Sequence, residues 1–254
     1  MSRLVAGELR KLSTTRLWLW LLLAAMALTA LYAGLNLAFT DDPDNFAPHL
    51  STAEGQRLHY ATAASAATAL AAVLAAIGIT GEFRHRTATT TFLTTPHRGR
   101  VVVAKLLTHT VIGAGYSVAC LAVALAIGLP WLAGRDIEPS LAAGGIPATL
   151  GGVVAAGAVF GLLGVAVGAL VREQVAAVVG LLIYQFIAEP IVTAVPALHD
   201  WSRYLPGQAS SALAGSALEN RDFLPAWQGG LLLLGYAAVI ATAGVLLTRR
   251  RDVT

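Results

Sequence analysis

Six stretches of this 254-residue chain run for about 19 residues or more with almost no charged side chain. At about 1.5 Å per residue, a helix of that length crosses a hydrocarbon core about 30 Å thick. The runs lack the two-residue alternation of barrel strands, and only helices and closed barrels satisfy the backbone in lipid. The predicted spans are 17–39, 62–80, 106–129, 148–171, 175–195 and 227–247. The sequence therefore predicts an all-α, polytopic membrane protein with six transmembrane helices.

The composition supports this class of protein. Hydrophobic residues make up 56% of the chain and charged residues only 12%, whereas about 25% of the residues in a soluble domain are charged. This excludes disorder and argues against a cytosolic globular enzyme. The longest segments outside the predicted spans, 81–105 and 196–226, are shorter than the roughly 50 residues of an independent domain. We therefore expect a single transmembrane domain over residues 1–254.

Two of the predicted spans rest on weaker signals. In the second, residues 61–72 are mostly alanine, a composition too mild to insert well alone but suited to close helix packing. The first follows basic residues and contains a small-x-small sequence at 25–27, as a secretory signal does. Its apolar run continues to Phe39, beyond the about 7 to 15 residues of a signal. We expect it to be a retained first helix.

The basic residues predict the orientation in the membrane. With six spans both termini lie on one side, and the segments on that side carry 13 of the 17 lysines and arginines. The positive-inside rule therefore predicts cytoplasmic termini. The basic residues lie beside the spans, where anionic lipid heads explain a pI near 9.3 better than nucleic acid does. Fifteen arginines against two lysines favour a GC-rich bacterial genome, so the expected location is the cell membrane of a bacterium.

The sequence lacks the common catalytic and metal-binding motifs. Neither lysine belongs to a G-x-x-x-x-G-K-[ST] loop, and there is no H-E-x-x-H, no G-x-S-x-G and no zinc spacing around the single Cys120. Five of the six histidines are expected in solvated loops; His109, inside the third span, is the one that needs a partner. The chain is therefore predicted to be no enzyme and to hold no metal or cofactor of its own.

The N-terminal residues 2–16 combine apolar and basic side chains. Val5, Leu9 and Leu12 recur at helical spacing among four basic residues, a pattern typical of an amphipathic helix on the inner membrane face. The alternative is a plain basic flank that orients the first span. The residues alone leave both interpretations open.

The segment 81–105 carries more than a topology signal requires. It reads GEFRHRTATTTFLTTPHRGRVVVAK, with two phenylalanines and a leucine between its arginines. Such side chains suit a protein contact or insertion among lipid headgroups equally well. Pro96 and Gly99 are expected to end any helix that begins near Glu82.

Glu189, followed by Pro190, is the strongest polar feature inside a predicted span. A carboxylate within a span usually faces a bundle interior or water. Glu189 and the neighbouring Gln185 therefore form a candidate conduit or intramembrane polar site. The alternative is that the fifth span ends near Ala188 and leaves Glu189 solvated at the outer interface.

Four glycines of the fourth span lie along one helix face. They are Gly157, Gly161, Gly164 and Gly168. A glycine stripe lets another helix approach closely. Packing within one subunit is the commoner use of such a stripe, so it is not taken as a dimer interface.

The chain resembles the permease subunits of ABC type 2 exporters over nearly its whole length. The resemblance rests on ELRKL-x-x-T-R at 8–16, on GEFRHRTA…TTPHRGR-x-x-x-AK at 81–105, and on Glu189-Pro190 followed by W-x-x-YLPGQA at 201–209. The second of these blocks is the most specific.

The resemblance implies an N-terminal interfacial helix, a cytoplasmic coupling helix between spans 2 and 3, and re-entrant outer helices before span 6. The implied coupling residues are Glu82, Phe83, Arg84, Arg86, Thr87, Phe92, Arg98 and Arg100. The implied re-entrant segment contains Trp201, Tyr204, Leu205 and Pro206. The implied partners are a cytosolic ABC-type ATPase, which binds the ATP and magnesium, a second permease copy in a homodimer, and the lipid bilayer.

The expected function is ATP-driven export of a hydrophobic or amphipathic compound through a dimeric conduit. The first outer loop, 40–61, is short and acidic and offers no extracellular domain. An ion-coupled secondary transporter is one alternative, but it predicts repeats that the two halves of the sequence do not show. A non-transporting membrane anchor for a cytosolic protein is the other.

Overall fold

The computed structural model describes residues 2–42, 47–84, 98–142, 144–215 and 224–250, and these are almost entirely helical. The helices are α1 (Ser2–Thr14), α2 (Leu17–Ala38), α3 (Ala53–Ala61), α4 (Ala63–Arg84), α5 (Arg98–Ala133), α6 (Ile146–Val171), α7 (Gln174–Ile183), α8 (Glu189–Ala194), α9 (His199–Ser202), α10 (Pro206–Leu213) and α11 (Ala226–Arg250). A π-helical turn, Tyr184–Ala188, joins α7 to α8, and a 3₁₀ turn, Pro196–Leu198, precedes α9. Among the described residues, six helical segments are long and apolar enough to cross a membrane. The predicted fold class and the six spans are confirmed.

The alanine-rich helix α4 lies at the centre of the bundle. It packs against α2, α5, α6 and α7. Of the most apolar 18 residues in the stretch that α3 and α4 form, 71% are buried inside the chain. Without a hydrophobic driving force between helices in lipid, small side chains associate because they allow close van der Waals contact. The alanine-rich span is therefore the one that its neighbours shield from lipid.

The glycine stripe of α6 lies against two helices of the same chain. A Cβ added at Gly161 would lie 2.2 Å from the His109 carbonyl oxygen of α5, and one at Gly164 would lie 2.2 Å from the Ala72 carbonyl oxygen of α4. Side chains cannot fit at either place. The expectation that the stripe packs within one subunit is confirmed.

Three spans form the outside of the bundle. Few of the most apolar 18 residues of each span are buried: 22% in α2, 11% in the α7–α8 segment and 17% in α11. Large apolar side chains are exposed there, among them Trp20, Ile191 and Val239. These surfaces suit lipid or another apolar protein face.

The segment that was expected to be a plain outer loop contains a packed helix. Thr52 accepts a hydrogen bond from the Gly55 amide and so caps α3. The buried Gln56 donates to the carbonyl oxygens of Leu50 and Glu138, at 3.2 and 3.1 Å. Helix α3 thereby closes this end of the bundle.

His59 was expected in a solvated loop, and this prediction is wrong. Its side chain is 1% exposed, and Nδ1 lies 3.0 Å from the amide oxygen of Asn36 in α2. The acidic residues around it suggested solvent, but α3 turns its His59 side inward.

The helix boundaries around the segment 85–97 also differ from those expected. Glu82 lies in the last turn of α4 rather than at the start of a helix, and Gly99 lies in the first turn of α5 rather than at a helix end. Glycine is tolerated in a first helical turn, where the amide has no intrahelical partner. The candidate coupling helix itself lies outside the described residues.

Candidate functional site

Four charged side chains meet where α1, α4 and α5 come together. The Lys105 ammonium donates to Glu8 and to Glu82, both at 2.6 Å, and the Lys11 ammonium donates to the same two carboxylates, both at 2.9 Å. Lys105 is 4% exposed, whereas the Lys11 side chain is 50% exposed. We call these four residues the ion cluster.

The ion cluster is electrically balanced, with two carboxylates and two ammonium groups. Removing a charge from water costs several kcal/mol, so a buried ammonium such as that of Lys105 persists only with close partners. Burial raises the pKa of the Glu8 carboxyl, but the Lys105 and Lys11 ammonium groups outweigh it, and the net pKa is lowered. Burial lowers the pKa of Lys11, but its bonds to Glu8 and Glu82 outweigh that, and the net pKa is raised. Glu8 and Lys11 therefore keep their charged forms.

The amphipathic-helix interpretation of the N-terminus is favoured over the plain flank, because residues 2–14 form α1. Glu8 lies in the contact with the bundle, whereas Leu9 is exposed on the other side. Leu9 is thus left for another surface, whereas Leu12 packs against the core of the bundle and Glu8 joins the ion cluster.

The predicted coupling residues that the structure describes lie on both sides of the segment 85–97. Glu82 belongs to the ion cluster, and Arg84, the last residue of α4, is exposed. The backbones of Phe83, Arg98 and Arg100 lie in the last turn of α4 and the first turn of α5. Arg86, Thr87 and Phe92 lie outside the described residues.

His109 lies one turn beyond Lys105 in α5 and is buried. Its Nδ1 donates to the Lys105 carbonyl oxygen at 2.9 Å, and among the described residues Nε2 has no hydrogen-bond partner. Nε2 lies against Gly78 of α4, where an added Cβ would approach to 2.7 Å. The sequence correctly marked His109 as the histidine inside a span, and its partner is its own helix.

Glu189 forms a second polar centre near the opposite end of the bundle. The helix continues through it to Ala194, and the side chain is 4% exposed. Its carboxylate accepts hydrogen bonds from the backbone amides of Gly207 and Gln208, at 3.0 and 2.8 Å. The alternative of an early span end and a solvated Glu189 is therefore wrong.

The position of Glu189 depends on a backbone feature that the sequence analysis missed. Pro190 has no amide hydrogen to donate to the preceding turn, and a π-helical turn, Tyr184–Ala188, lies directly before it. Local π turns accommodate proline in membrane helices and often mark functional sites. The proline was the available signal, but it was read only as a possible span end.

The W-x-x-YLPGQA motif forms the partner of Glu189. Pro206 begins α10, and the next two amides lack partners within their own helix, so the Glu189 carboxylate of α8 caps them from outside. A Cβ at Gly207 would lie 2.5 Å from the Glu189 Oε1 atom, so a residue without a side chain is needed at this position. The Tyr204 carbonyl oxygen accepts from the Tyr236 hydroxyl at 2.9 Å. Trp201 is exposed and Leu205 is partly buried before α10.

Two cavities meet beside this centre, and Gln185 lines both. The larger, about 470 Å³, lies among α6, α7 and α11 and is mostly apolar. The smaller, about 290 Å³, lies among α4, α8 and α10 and includes Glu189. Thus Gln185 and Glu189, the two residues predicted as an intramembrane polar site, line one cavity.

The six apolar helices among the described residues define a polytopic membrane protein. The profile of the ABC-2 family transporter proteins matches residues 4–253, so the chain belongs to that family. A comparison with the curated proteins finds no match. Family membership gives this chain the role of permease in an ABC transporter.

Proposed function

We propose that this permease works as a homodimeric ATP-driven exporter of a hydrophobic or amphipathic compound. A separate cytosolic subunit binds ATP and magnesium and docks on the segment 81–100. The ion cluster carries the proposal, because it joins the two ends of that segment to each other and to α1.

The cluster gives the docking segment a mechanical link to the bundle. Glu82 lies three residues before 85–97 and Lys105 lies eight residues after it, yet their charged groups are 2.6 Å apart. Removing one partner of a buried ion pair costs about 3–5 kcal/mol. A displacement of the segment therefore moves the ends of α4 and α5 together, and the contact with Glu8 transmits the movement to α1.

The proposed orientation follows from the basic residues. The ends of α4 and α5 that meet in the ion cluster lie on the side that carries most of the lysines and arginines, which is the cytoplasmic side by the positive-inside rule. A cytosolic ATPase reaches this side.

The proposed dimer uses the least buried spans. Only 11% of the most apolar 18 residues of the α7–α8 span are buried within the chain, although this span carries Gln185 and Glu189. A second copy packed there would cover exposed apolar side chains such as Ile187 and Ile191. The conduit would then lie between the two copies.

The test reverses the charges of Arg84 and Arg86 to glutamate in the full chain. Reversal of Arg249 and Arg250 is the matched control, because it changes the same number of charges beside a span on the same predicted side. We expect the first variant to insert normally, to lose the co-purified ATPase and to lose transport, and the control to keep both. Full ATPase stimulation by the Arg84/Arg86 variant would contradict the docking role. If the control variant also lost the co-purified ATPase and transport, the docking site could not be assigned to this segment.

A further inference from the structure

We propose that the two cavities that meet at Gln185 form one binding site within each subunit for an amphipathic primary amine in its protonated form. The apolar part of the ligand occupies the larger cavity, and its ammonium group lies at Glu189 in the smaller one. This inference rests on the proposed function and names the substrate class.

The larger cavity suits an alkyl or aromatic group. Its volume of about 470 Å³ falls within the roughly 300–1,000 Å³ of known small-molecule sites. Its walls come from aliphatic side chains on three helices, such as Leu163, Leu181 and Ile240. Tyr184, Gln185 and Tyr236 add polar groups to this lining.

The smaller cavity offers acceptors for hydrogen bonds. The hydroxyls of Thr62 and Thr193 donate to backbone carbonyls of their own segments, so each oxygen keeps a lone pair for another donor. No lysine or arginine lines this cavity among the described residues. A wall of this kind favours a ligand that donates hydrogen bonds.

Glu189 supplies the charge that selects a cation. The Gly207 and Gln208 amides donate to its carboxylate, and the neutral side chains of Tyr184 and Gln208 interact with it as well. Within the described ranges no ion pair involves Glu189. Because the two backbone amides already fix its position, the carboxylate is preorganised for a donor entering from the cavity.

Gln185 shows that the two cavities adjoin. It is the residue that lines both, and it lies one turn before Glu189 on the same span. A ligand with a polar group on a flexible apolar chain can therefore occupy both spaces at once, whereas a purely apolar ligand leaves the polar wall unpaired, which is unfavourable.

The experiment measures binding to the purified permease in phosphatidylcholine nanodiscs without any ATPase, at neutral pH. Radiolabelled dodecylammonium is the probe, dodecanol is its uncharged counterpart, and dodecyltrimethylammonium carries the charge without a donor hydrogen. Empty nanodiscs correct for partition into lipid. We expect dodecylammonium to bind at least about ten-fold more tightly than either counterpart, as a hydrogen bond to a charged group implies. Equal affinity for dodecylammonium and dodecanol would overturn the proposal.

Variants locate the site. Glu189→Gln should weaken dodecylammonium binding by about ten-fold and leave dodecanol unchanged. Thr193→Val, which removes one acceptor without disturbing the carboxylate, should weaken dodecylammonium alone and provides a test that does not depend on the fold around Glu189. Gly180→Phe should narrow the larger cavity and weaken all three probes, whereas Gly34→Phe should not, since an added Cβ meets open space at both positions and only Gly180 lines the cavity.

Unchanged dodecylammonium binding in folded Glu189→Gln and Thr193→Val variants would also overturn the proposal. The outcome is separable from that of the proposed function, because this assay contains no ATPase and measures no transport. Failure to bind the amine would leave ATPase coupling intact, and failure of coupling would leave the binding result intact.

Discussion

The Lys105 ammonium of α5 and the Glu82 carboxylate of α4 lie 2.6 Å apart, although 23 positions separate the two residues in the chain. The intervening segment is the one for which we propose ATPase docking, so this pair forms the base of the proposed coupling element. Glu8 of α1 approaches the same ammonium at 2.6 Å. The pair and α1 thus form one unit.

Replacing Lys105 by methionine should destabilise the bundle by about 3–5 kcal/mol, because it leaves the buried carboxylate of Glu8 and the partly buried carboxylate of Glu82 with only Lys11. Lys11→Met is the matched control, and we expect it to cost less than about 1 kcal/mol, since the Lys11 side chain is half exposed. Thermal unfolding of the two variants in the same detergent measures the difference. Equal loss of stability would contradict the buried role of Lys105.

The stability that Glu8 contributes should depend on pH in a defined direction. The pKa of Glu8 in the folded protein lies below its ordinary value of 4.5, so its contribution is complete above that value and is lost as the pH falls through the lowered pKa. The pKa of Lys11 lies above its ordinary value of 10.5, so its contribution is complete below that value and is lost as the pH rises through the raised pKa.

Unfolding midpoints of the wild type and Glu8→Gln, measured from neutral to acidic pH, test this behaviour. The two should differ by a constant amount at neutral and mildly acidic pH and converge below the ordinary carboxyl value. A difference that grows on acidification would contradict the ionised state of Glu8.

Gly207→Ala should destabilise the contact between α8 and α10 by about 1–3 kcal/mol, because the new Cβ would displace the carboxylate from two backbone amides. Gly180→Ala is the control, since an added Cβ there meets open space. Protease sensitivity of the segment 196–226 and the unfolding midpoint report the effect. If both alanine variants behave alike, Glu189 does not hold α10.

Two glycines of α6 should respond to alanine in opposite directions. Gly161→Ala pushes a Cβ against the α5 backbone, and overpacking of this kind costs about 1–3 kcal/mol. Gly151→Ala meets open space in the same helix and should be neutral or stabilise by about 0.5–1 kcal/mol, because alanine favours helix. Unfolding in detergent compares the two, and a neutral Gly161→Ala would mean that α5 and α6 are not in close contact.

The spans were predictable because membrane insertion depends on a local property, the length of an apolar run. The exception is informative: α4 is rich in alanine and lies at the centre of the bundle. Its alanines reveal close packing only when the neighbours are known, as the contacts of Gly164 with Ala72 show. The burial of His59 was missed for the same reason.

The candidate site was predicted in part. The sequence marked Glu82 and Glu189 as residues of interest, but it did not provide their partners. Lys105 and Glu8 are 97 positions apart, and no local pattern joins them. Glu189 binds backbone amides, which every residue but proline possesses, so the side chains gave no signal for that contact.

The central claim, that this permease is driven by a separate ATPase docked at the ion-cluster end, is tested most directly by isolating the chain from its native membrane in detergent and assaying the complex for ATP hydrolysis. The account predicts a stoichiometric partner of the ATP-binding type that is retained in the wild type and lost when Arg84 and Arg86 are reversed. A chain that purifies alone, under conditions that preserve other membrane complexes, would contradict it.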